Sequence, residues 1–498
     1  MGPKTVNYSV ALDPKRNKYS TWKAAKDRML DEVWPALAPS FQLSPGAKIF
    51  TIGSCFARNI EQHLQRLGFK IPTLDFIVPR DEWKGPPNCF LNKYTPPAIF
   101  QEIDWARNIF LKGGTITEAD STAFLYECDE GSCIDTNLLE FIPVTRERFF
   151  QRRSQLYEMF KEIFNADCVV ITLGLIEAWF DHEKAAYIQQ APTKKDFAKS
   201  GARFGFEVLS YQKCHTYIQD SIDAIRDINK DAKFLITTSP VPLGRTFTDD
   251  DVIVANTYSK SVLRAVAGDI AASNQNVDYF PSYESVVLTK NGNVWNTDLR
   301  HVSDLFIGKV ITRLMETYCS AISDADKLFQ RSHMNLKAED PVAALELARQ
   351  AVERSPENGE LRKHLGNLLA VNGELTKAEA ELQKGIRLKP GDSGMYYQLS
   401  DVLTRQGRLD EAIQAARRAT DLAPDREEFR RHLARLWLKK RKFGKALLQF
   451  GVATGHRRLS RTKRRQLKKC LRFLLPRLQK LDLVSPETEV SKRAPTNS

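Results

Sequence analysis

The feature that most constrains the fold is a 34-residue period in the C-terminal third of the chain. Two residue types recur at this interval, proline and alanine, and they keep a constant offset from each other. The series are Pro356, Pro390 and Pro424, and Ala344, Ala378, Ala412 and Ala446. Small residues allow two helices to approach closely, and proline ends a helix because it lacks the backbone N–H. The period therefore predicts a stack of helix pairs.

This pattern resembles tetratricopeptide repeats, in which a 34-residue unit is a helix–turn–helix. It predicts a half unit at about 337–355, three units at 357–390, 391–424 and 425–455, and a capping helix beyond. Gly373 and Gly407 fall at the turn, where the last unit has Arg441, which indicates a divergent terminal repeat. The resemblance implies a surface that binds a protein partner. The alternative is a helical stack that only supports the preceding domain.

The first 325 residues show a different pattern, in which short apolar runs alternate with amphipathic stretches. Strands are predicted at 48–52, 167–174, 233–239 and 277–281, and helices at 57–68, 146–165, 211–229, 250–273 and 303–319. Buried strands that alternate with helices are typical of a parallel, doubly wound α/β sheet. We therefore expect an N-terminal extension at 1–44 and an α/β domain at 45–325, interrupted by an irregular insert at about 75–145.

The positive charge of the chain is concentrated in one segment. The net charge is +13, and residues 456–480 contain eleven Lys or Arg and no Asp or Glu. We interpret this segment as a basic helix that caps the repeats. A second interpretation is contact with an anionic membrane surface, because apolar residues are interleaved with the basic ones. Stacking aromatics are absent, which argues against sequence-specific nucleic-acid binding. Residues 481–498 are expected to be a disordered tail.

Cysteine usage and hydropathy bear on the location of the protein. The eight cysteines include no Cys-x-x-Cys pair, which argues against a zinc ribbon or a disulfide framework and fits a reducing compartment. No window has the ~18 consecutive apolar residues of a membrane span, and no secretory signal is visible. We expect a cytoplasmic protein, at most peripheral at a membrane, with no metal and no cofactor.

Two short motifs carry side chains suited to acyl transfer. Gly53-Ser54-Cys55 follows the first predicted strand and precedes a helix, and Asp298 and His301 lie three residues apart far downstream. The N–H groups at a helix N-terminus favour a thiolate at Cys55 and an oxyanion on a bound substrate. His301 would serve as the base, and Asp298 would orient the imidazole or hold the chain around it. The residues alone leave either Cys55 or Ser54 as the nucleophile.

The run Thr51-Ile52-Gly53-Ser54-Cys55-Phe56-Ala57 resembles the signature of the GSCFA family, which is related to the SGNH hydrolases. The similar stretches downstream are 172–175, 239–243, 259–264 and 279–284, so the resemblance covers about residues 45–320. It implies an SGNH-like doubly wound sheet. SGNH enzymes carry Gly-Asp-Ser and Asp-x-x-His, so the resemblance places Cys55 at the position of the nucleophilic serine. Asp298 and His301 match the second motif.

The sequence departs from SGNH enzymes where these provide an oxyanion donor. Their middle motif is Gly-x-Asn-Asp, whereas this chain has Ile176 in place of the asparagine, and the neighbouring Glu177 is expected to pair with a Lys or Arg. The candidate oxyanion and substrate-binding residues that remain are Gly53, Gly174 and, from the insert, Asn88, Asn92 and Tyr94.

The resemblance implies an SGNH-like acyl esterase or O-acyltransferase. Its substrate would be an acylated glycan or small acyl ester, as in bacterial polysaccharide modification, and the repeats would recruit a protein partner. The alternative is a non-catalytic protein that binds a ligand and acts as a scaffold. Ile176 favours the alternative, whereas the pairing of Asp298 with His301 favours the enzyme.

Overall fold

The computed structural model divides into two compact units, and the division along the chain falls between Asp326 and Lys327. It describes residues 21–449 apart from short gaps. These gaps are 30–31, 77, 80–81, 84–86, 129–130, 140–141, 190, 193–200, 291–293, 320–322, 338–339, 425, 443 and 447–448. The basic segment 456–480 and the tail 481–498, both predicted above, lie outside the described residues.

The first unit is built on a parallel sheet. Its strands, in chain order, are β1 (Ile49–Gly53), β2 (Leu125–Glu127), β3 (Ser132–Asp135), β4 (Val144–Thr145), β5 (Cys168–Leu173), β6 (Glu177–Asp181), β7 (Ala186–Ile188), β8 (Phe204–Val208), β9 (Lys233–Thr238) and β10 (Val277–Tyr279). The central sheet has the order β1-β5-β9-β10, with every pair parallel. Two small antiparallel sheets, β2-β3-β4 and β7-β6-β8, lie outside it.

A parallel bridge between Lys48 and Lys70 extends the central sheet beyond the outer edge of β1. After β1, the chain therefore first lies along one edge of that strand, at Lys70, and then along its opposite edge, as β5. Strand order thus reverses between β1 and β5, as it does in doubly wound sheets. The predicted fold class is confirmed, and ligands of such sheets bind at this reversal.

Helices cover both faces of the central sheet. The helices are α1 (Trp22–Ala25), α2 (Cys55–Arg66), α3 (Pro96–Leu111), α4 (Glu118–Ser121), α5 (Arg146–Phe160), α6 (Tyr211–Arg226), α7 (Val252–Ser273), α8 (Ser282–Leu288) and α9 (Asp304–Tyr318). Along β5, Val169 and Ile171 face the core formed with α3, α5, α6 and α7, whereas Cys168 and Val170 face the core formed with α2 and α9. Both faces are apolar because both are buried.

Part of the predicted N-terminal extension belongs to the α/β unit. Trp34 stacks on Phe306 with ring centroids 5.5 Å apart, and Phe41 packs on Tyr318 at 5.2 Å. The backbone N–H of Leu43 donates to the carbonyl of Tyr318 at 2.7 Å. The boundary predicted at residue 44 is therefore too late, because the apolar side chains that precede it bury themselves against α9.

The segment 75–145, expected to be irregular, contains the 16-residue helix α3. Pro96 and Pro97 occupy its first turn, where the missing N–H groups cost nothing. Ile99, Ile103 and Ala106 recur at helical spacing and are completely buried in the larger core. The prediction of an irregular segment is wrong over Pro96–Leu111, because the two prolines start a helix there rather than interrupt one.

The second unit consists of paired helices. Its helices are α10 (Asp324–Lys337), α11 (Pro341–Arg354), α12 (Gly359–Val371), α13 (Leu375–Leu388), α14 (Ser393–Arg405), α15 (Leu409–Leu422) and α16 (Glu427–Lys439). The periodic alanines, Ala344, Ala378, Ala412 and Ala446, are all fully buried. The predicted half unit is a complete pair, because Ser332 on α10 donates to the carbonyl of Ala344 at 2.5 Å. Ser400 repeats this contact with Ala412 at 2.7 Å.

Candidate active site

A cavity of about 370 Å³ opens at the carboxyl ends of β1 and β5, where the strand order reverses. Its wall includes Ser54 and Cys55 from the turn after β1, Gly174 after β5, and His301 from far downstream. The structure thus brings together side chains that are almost 250 residues apart in sequence.

Gly53 shapes the turn that leads into the cavity but does not line it. Its φ of +130° is open only to glycine, and a Cβ there would lie 2.8 Å from the backbone nitrogen of Thr172. Its carbonyl accepts a 2.7 Å hydrogen bond from the backbone N–H of Lys93. Gly53 therefore positions the following residues and holds the loop around residue 93, rather than contacting a substrate.

The hydroxyl of Ser54 is occupied by structural contacts. Ser54 is the N-cap of α2, and its Oγ accepts the backbone N–H of Phe56 at 3.3 Å. The same oxygen lies 3.1 Å from Oγ1 of Thr172, and the side chain is only 2% exposed. The sequence alone left Ser54 and Cys55 as possible nucleophiles. Within the described part of the structure, the hydroxyl of Ser54 makes structural hydrogen bonds, whereas no hydrogen bond to another side chain is seen for the thiol of Cys55.

Cys55 is the first residue of α2 and is half-buried in the wall of the cavity. Burial raises the pKa of its thiol, and this effect outweighs the charges of Lys260 and Arg300 and the backbone N–H groups of Cys55 and Phe56, which lower it. The N–H groups at the helix N-terminus thus favour the thiolate, but desolvation favours the neutral thiol more strongly.

His301 is presented by a small hairpin ahead of α9, which is closed by an antiparallel bridge between Trp295 and Val302. Oδ2 of Asp298 lies 2.6 Å from Nδ1 of His301, while its Oδ1 accepts the backbone N–H of Arg300 and that of His301, each at 3.0 Å. These hydrogen bonds hold the pKa of Asp298 well below its usual range. The contact between this carboxylate and Nδ1 fixes the orientation of the imidazole ring.

The other residues predicted as oxyanion donors lie after β5 and in the segment before α3. A Cβ on Gly174 would lie 2.7 Å from the carbonyl oxygen of Tyr94, so only glycine fits this wall. The side chain of Ile176 is buried in the core and does not line the cavity; its N–H donates to Oγ of Ser259 at 3.2 Å. Asn92 does line the cavity, and its amide donates to the Tyr94 hydroxyl at 3.2 Å.

The outcomes for the other predicted residues differ. The side chain of Asn88 lies outside the described part of the structure. Glu177, expected to pair with a Lys or Arg, instead accepts the hydroxyl of Thr246 at 2.7 Å and the N–H of Phe247 at 2.9 Å. This carboxylate therefore stabilises the loop that follows β9, because it accepts hydrogen bonds from two donors of that loop.

A buried ionic network supports the loop that carries Asn92 and Tyr94. Glu102 lies 2.8 Å from Lys93 and 2.7 Å from Arg153, and Arg153 also lies 2.6 Å from Asp135. All four side chains are at most 1% exposed. Two positive and two negative charges balance each other, so each has a partner in a region that excludes water.

Two residues that the sequence analysis did not select complete the site. Lys260 on α7 is fully buried, and its ammonium donates to the carbonyl of Gly174 at 2.7 Å. Burial lowers its pKa to about 7, and Cys55 partly counteracts this effect. Arg300 lies in the cavity wall next to His301. Helical spacing in the sequence could have indicated that Lys260 is buried. It lies on the same face of α7 as Leu263 and Ala267, which are also buried.

Comparison with known protein families gives matches in both units. The model of the GSCFA family matches residues 48–314, which is more than half of the chain. The chain belongs to the GSCFA family. Two tetratricopeptide repeat models match residues 335–400 and 393–436, directly after the GSCFA region. The predicted order of the two domains is therefore confirmed. No curated protein matches the chain.

Solved structures resemble only part of this GSCFA protein. A crystal structure of MamA is 19% identical, covers 31% of this chain and 88% of its own, and has a TM-score of 0.27. MamA from Desulfovibrio magneticus RS-1 is 20% identical over 31% of this chain and 83% of its own, with a TM-score of 0.27. YrrB, described as a TPR protein with an unusual peptide-binding site, is 21% identical over 33% and 82%, with a TM-score of 0.26.

Within the residues that the structure describes, no group of three or more His, Cys, Asp or Glu side chains is arranged to hold a metal ion. No helix among them is both long and apolar enough to cross a membrane.

Proposed function

We propose that the GSCFA unit is a cysteine-dependent acyl esterase or O-acyltransferase, acting on an acylated glycan or small acyl ester. The observation that carries the proposal is that Cys55 and His301 line one cavity, with Asp298 bonded to His301 at 2.6 Å. A nucleophile, a base and a group that orients the base are the minimum set for acyl transfer.

In the first half-reaction, the sulfur of Cys55 attacks the acyl carbonyl while Nε2 of His301 takes the thiol proton. The tetrahedral intermediate then expels the alcohol, which regains its proton from His301, and a thioester remains on Cys55. In the second half-reaction, water or a sugar hydroxyl attacks the thioester and His301 takes its proton. The acid or new ester leaves, and Cys55 recovers its proton from His301.

The charges around the cavity support this sequence. The raised pKa of Cys55 makes the base necessary, while the charges of Lys260 and Arg300 favour the thiolate once it forms. The backbone N–H groups at the start of α2 also lower the pKa of this thiol, and the N–H of Cys55 is the donor that we propose for an oxyanion. Asn92 supplies a side-chain amide in the wall, in place of the asparagine that Ile176 replaces.

Turnover of p-nitrophenyl acetate tests the proposal with the full-length chain. We expect Cys55→Ala to abolish the activity and His301→Ala to reduce it by about 10²–10⁴-fold. Ser54→Ala should keep measurable activity and lose about 1 kcal/mol of stability, because it removes an N-cap. Cys128→Ala, at a half-buried cysteine outside the cavity wall, is the matched control.

An acetyl adduct on Cys55, detected by mass spectrometry of rapidly quenched protein, would identify the nucleophile. Equal turnover by the wild type and all of the variants would reject the enzymatic proposal. It would favour the second candidate, a non-catalytic binding protein, which the apolar Ile176 at a usual donor position supports.

We also propose that the repeats bind a protein partner, because stacked helix pairs of this type commonly present a binding surface. The comparisons support this only through the two matches to tetratricopeptide repeats. Contact of residues 456–480 with an anionic membrane surface, and a cytoplasmic location, stay predictions. Sedimentation with vesicles that contain anionic lipids, compared for the full chain and a chain truncated at residue 455, tests the membrane contact.

A further inference from the structure

The charged side chains in the cavity wall are of one sign. Among the described residues that line it there is no Asp or Glu, whereas Arg300 contributes a guanidinium. This guanidinium makes no ion pair within the described part of the chain, although most other arginines of the α/β unit do. The cavity wall therefore carries a positive charge that has no ion-pair partner among the described side chains.

The position of Arg300 is set by the same turn that sets His301. Oδ1 of Asp298 accepts the backbone N–H groups of both residues, and Leu299 between them is held at a φ of +52°. The guanidinium lies close over Gly244, since a Cβ there would be 2.8 Å from Nη2 of Arg300. A turn with these contacts presents the base and the cation to the cavity together.

Two further observations point to a ligand. Burial raises the pKa of both Cys55 and Tyr94, and Arg300 is among the groups that lower it, so its charge is within electrostatic reach of both. Oδ1 of Asn92, a side chain that is 1% exposed and lines the cavity, has no hydrogen-bond partner among the described residues. A buried amide oxygen without a donor favours a ligand that brings one.

We propose that the substrate carries an anionic group, a carboxylate or a phosphate, which Arg300 binds beside the ester that Cys55 attacks. The choice of ester rests on the proposed function; the choice of an anion rests on the cavity itself. The guanidinium forms paired hydrogen bonds with both kinds of anion. The apolar side chains of Trp83, Leu139 and Val241 line the cavity and are available to the uncharged part of the substrate.

Alkylation of Cys55 tests the anion site without requiring turnover. Iodoacetate and iodoacetamide undergo the same substitution at sulfur and differ in one negative charge. We expect Arg300→Gln to lower the iodoacetate-to-iodoacetamide rate ratio at Cys55 by about tenfold, measured by peptide mass spectrometry and normalised to Cys128. Arg245→Gln, a change at an exposed arginine outside the cavity wall, should leave the ratio unchanged. An unchanged ratio in Arg300→Gln would overturn the proposal.

Protection experiments separate the two anions. Succinate that slows iodoacetamide labelling of Cys55 in the wild type but not in Arg300→Gln assigns a carboxylate, and the same result with inorganic phosphate assigns a phosphate. Protection by neither anion overturns the proposal. These results are independent of ester hydrolysis, so a protein that binds anions but turns over no ester would reject the proposed function alone.

Turnover distinguishes an anion site from an oxyanion donor. With the mono-p-nitrophenyl ester of succinate, Arg300→Gln should raise KM about tenfold, whereas KM for p-nitrophenyl acetate should change little. Loss of the charge that favours the Cys55 thiolate lowers kcat for both esters alike, so the comparison rests on KM. An equal change in KM for the two esters would contradict the proposal.

Discussion

Replacement of Lys260 by Met should change how the stability of the α/β unit depends on pH. Burial lowers the pKa of Lys260 from 10.5 to about 7 in the folded protein. Between these values the unfolded chain binds a proton at this lysine and the folded chain does not. Unfolding therefore takes up a proton, and the free energy of unfolding rises with pH in this window.

The magnitude follows from the size of the pKa difference. Each pH unit contributes about 1.4 kcal/mol, so the wild type should gain roughly 5 kcal/mol between pH 7 and 10.5 from this group. Below pH 7 this penalty of burying the ammonium is fully present. Lys260→Met has no group that titrates at this position. At every pH it should lose about 1 kcal/mol of unfolding free energy, because the Gly174 carbonyl loses its hydrogen-bond donor.

Urea unfolding at pH 7.5, 8.5 and 9.5, followed by tryptophan fluorescence, provides the measurement. Trp437 is the only tryptophan beyond residue 326, so a Trp437→Phe background restricts the signal to the α/β unit. The stability of the wild type relative to Lys260→Met should rise by about 2–3 kcal/mol over this range. Lys112→Met, at an exposed lysine, is the control and should show almost no such slope.

A flat difference between wild type and Lys260→Met would refute the reasoning, because it would mean that Lys260 stays charged in the folded state. Cys55→Ala provides an independent check. Burial lowers the pKa of Lys260 and Cys55 raises it, so removal of the thiol should move the start of the pH-dependent window downward.

Three further predictions concern single residues. Asp298→Asn should reduce ester turnover by about 10²–10⁴-fold, because it weakens the group that orients His301; turnover like that of the wild type would exclude this role. Gly174→Ala should lower the free energy of unfolding by about 1–3 kcal/mol in urea titrations, because its Cβ would lie 2.7 Å from the Tyr94 carbonyl oxygen, whereas Gly201→Ala has open space and should be almost neutral. Arg441→Gly should stabilise the repeat unit by about 0.5–1 kcal/mol in thermal melts followed by circular dichroism, because Arg441 has a φ of +57°; a loss of stability would contradict this.

Local pattern was sufficient to predict most elements. The predicted strands at 48–52 and 233–239 and the predicted helix at 211–229 lie within a few residues of β1, β9 and α6. Short apolar runs and helical periodicity depend only on neighbouring residues, so they can be recognised in the sequence. The same holds for the turns of the repeats, where Gly373 and Gly407 adopt φ values of +82° and +81°. Arg441 occupies the equivalent position with a positive φ, as the 34-residue spacing implies.

Predictions failed where the outcome depended on distant contacts. The helix α3 was missed, and residues 33–43 were assigned to an extension, although both bury apolar side chains against elements remote in sequence. The helix N-terminus favours a thiolate at Cys55, but the sequence did not reveal the opposing and larger effect, which is how much of the thiol the surrounding fold buries. Desolvation is a property of the whole packed structure and has no short sequence pattern.

The sequence by itself determined the two-domain order, the parallel α/β class and the residue types that acyl transfer requires, since these depend on periodicity and on short motifs. Only the tertiary structure decided which side chains meet. Folding of the chain brings His301 and Arg300 to the cavity of Cys55, commits Ser54 to the helix cap, and buries Lys260 beneath Gly174. The physical reason is that electrostatic interaction, desolvation and direct contact depend on which groups are close in space, whatever their separation along the chain.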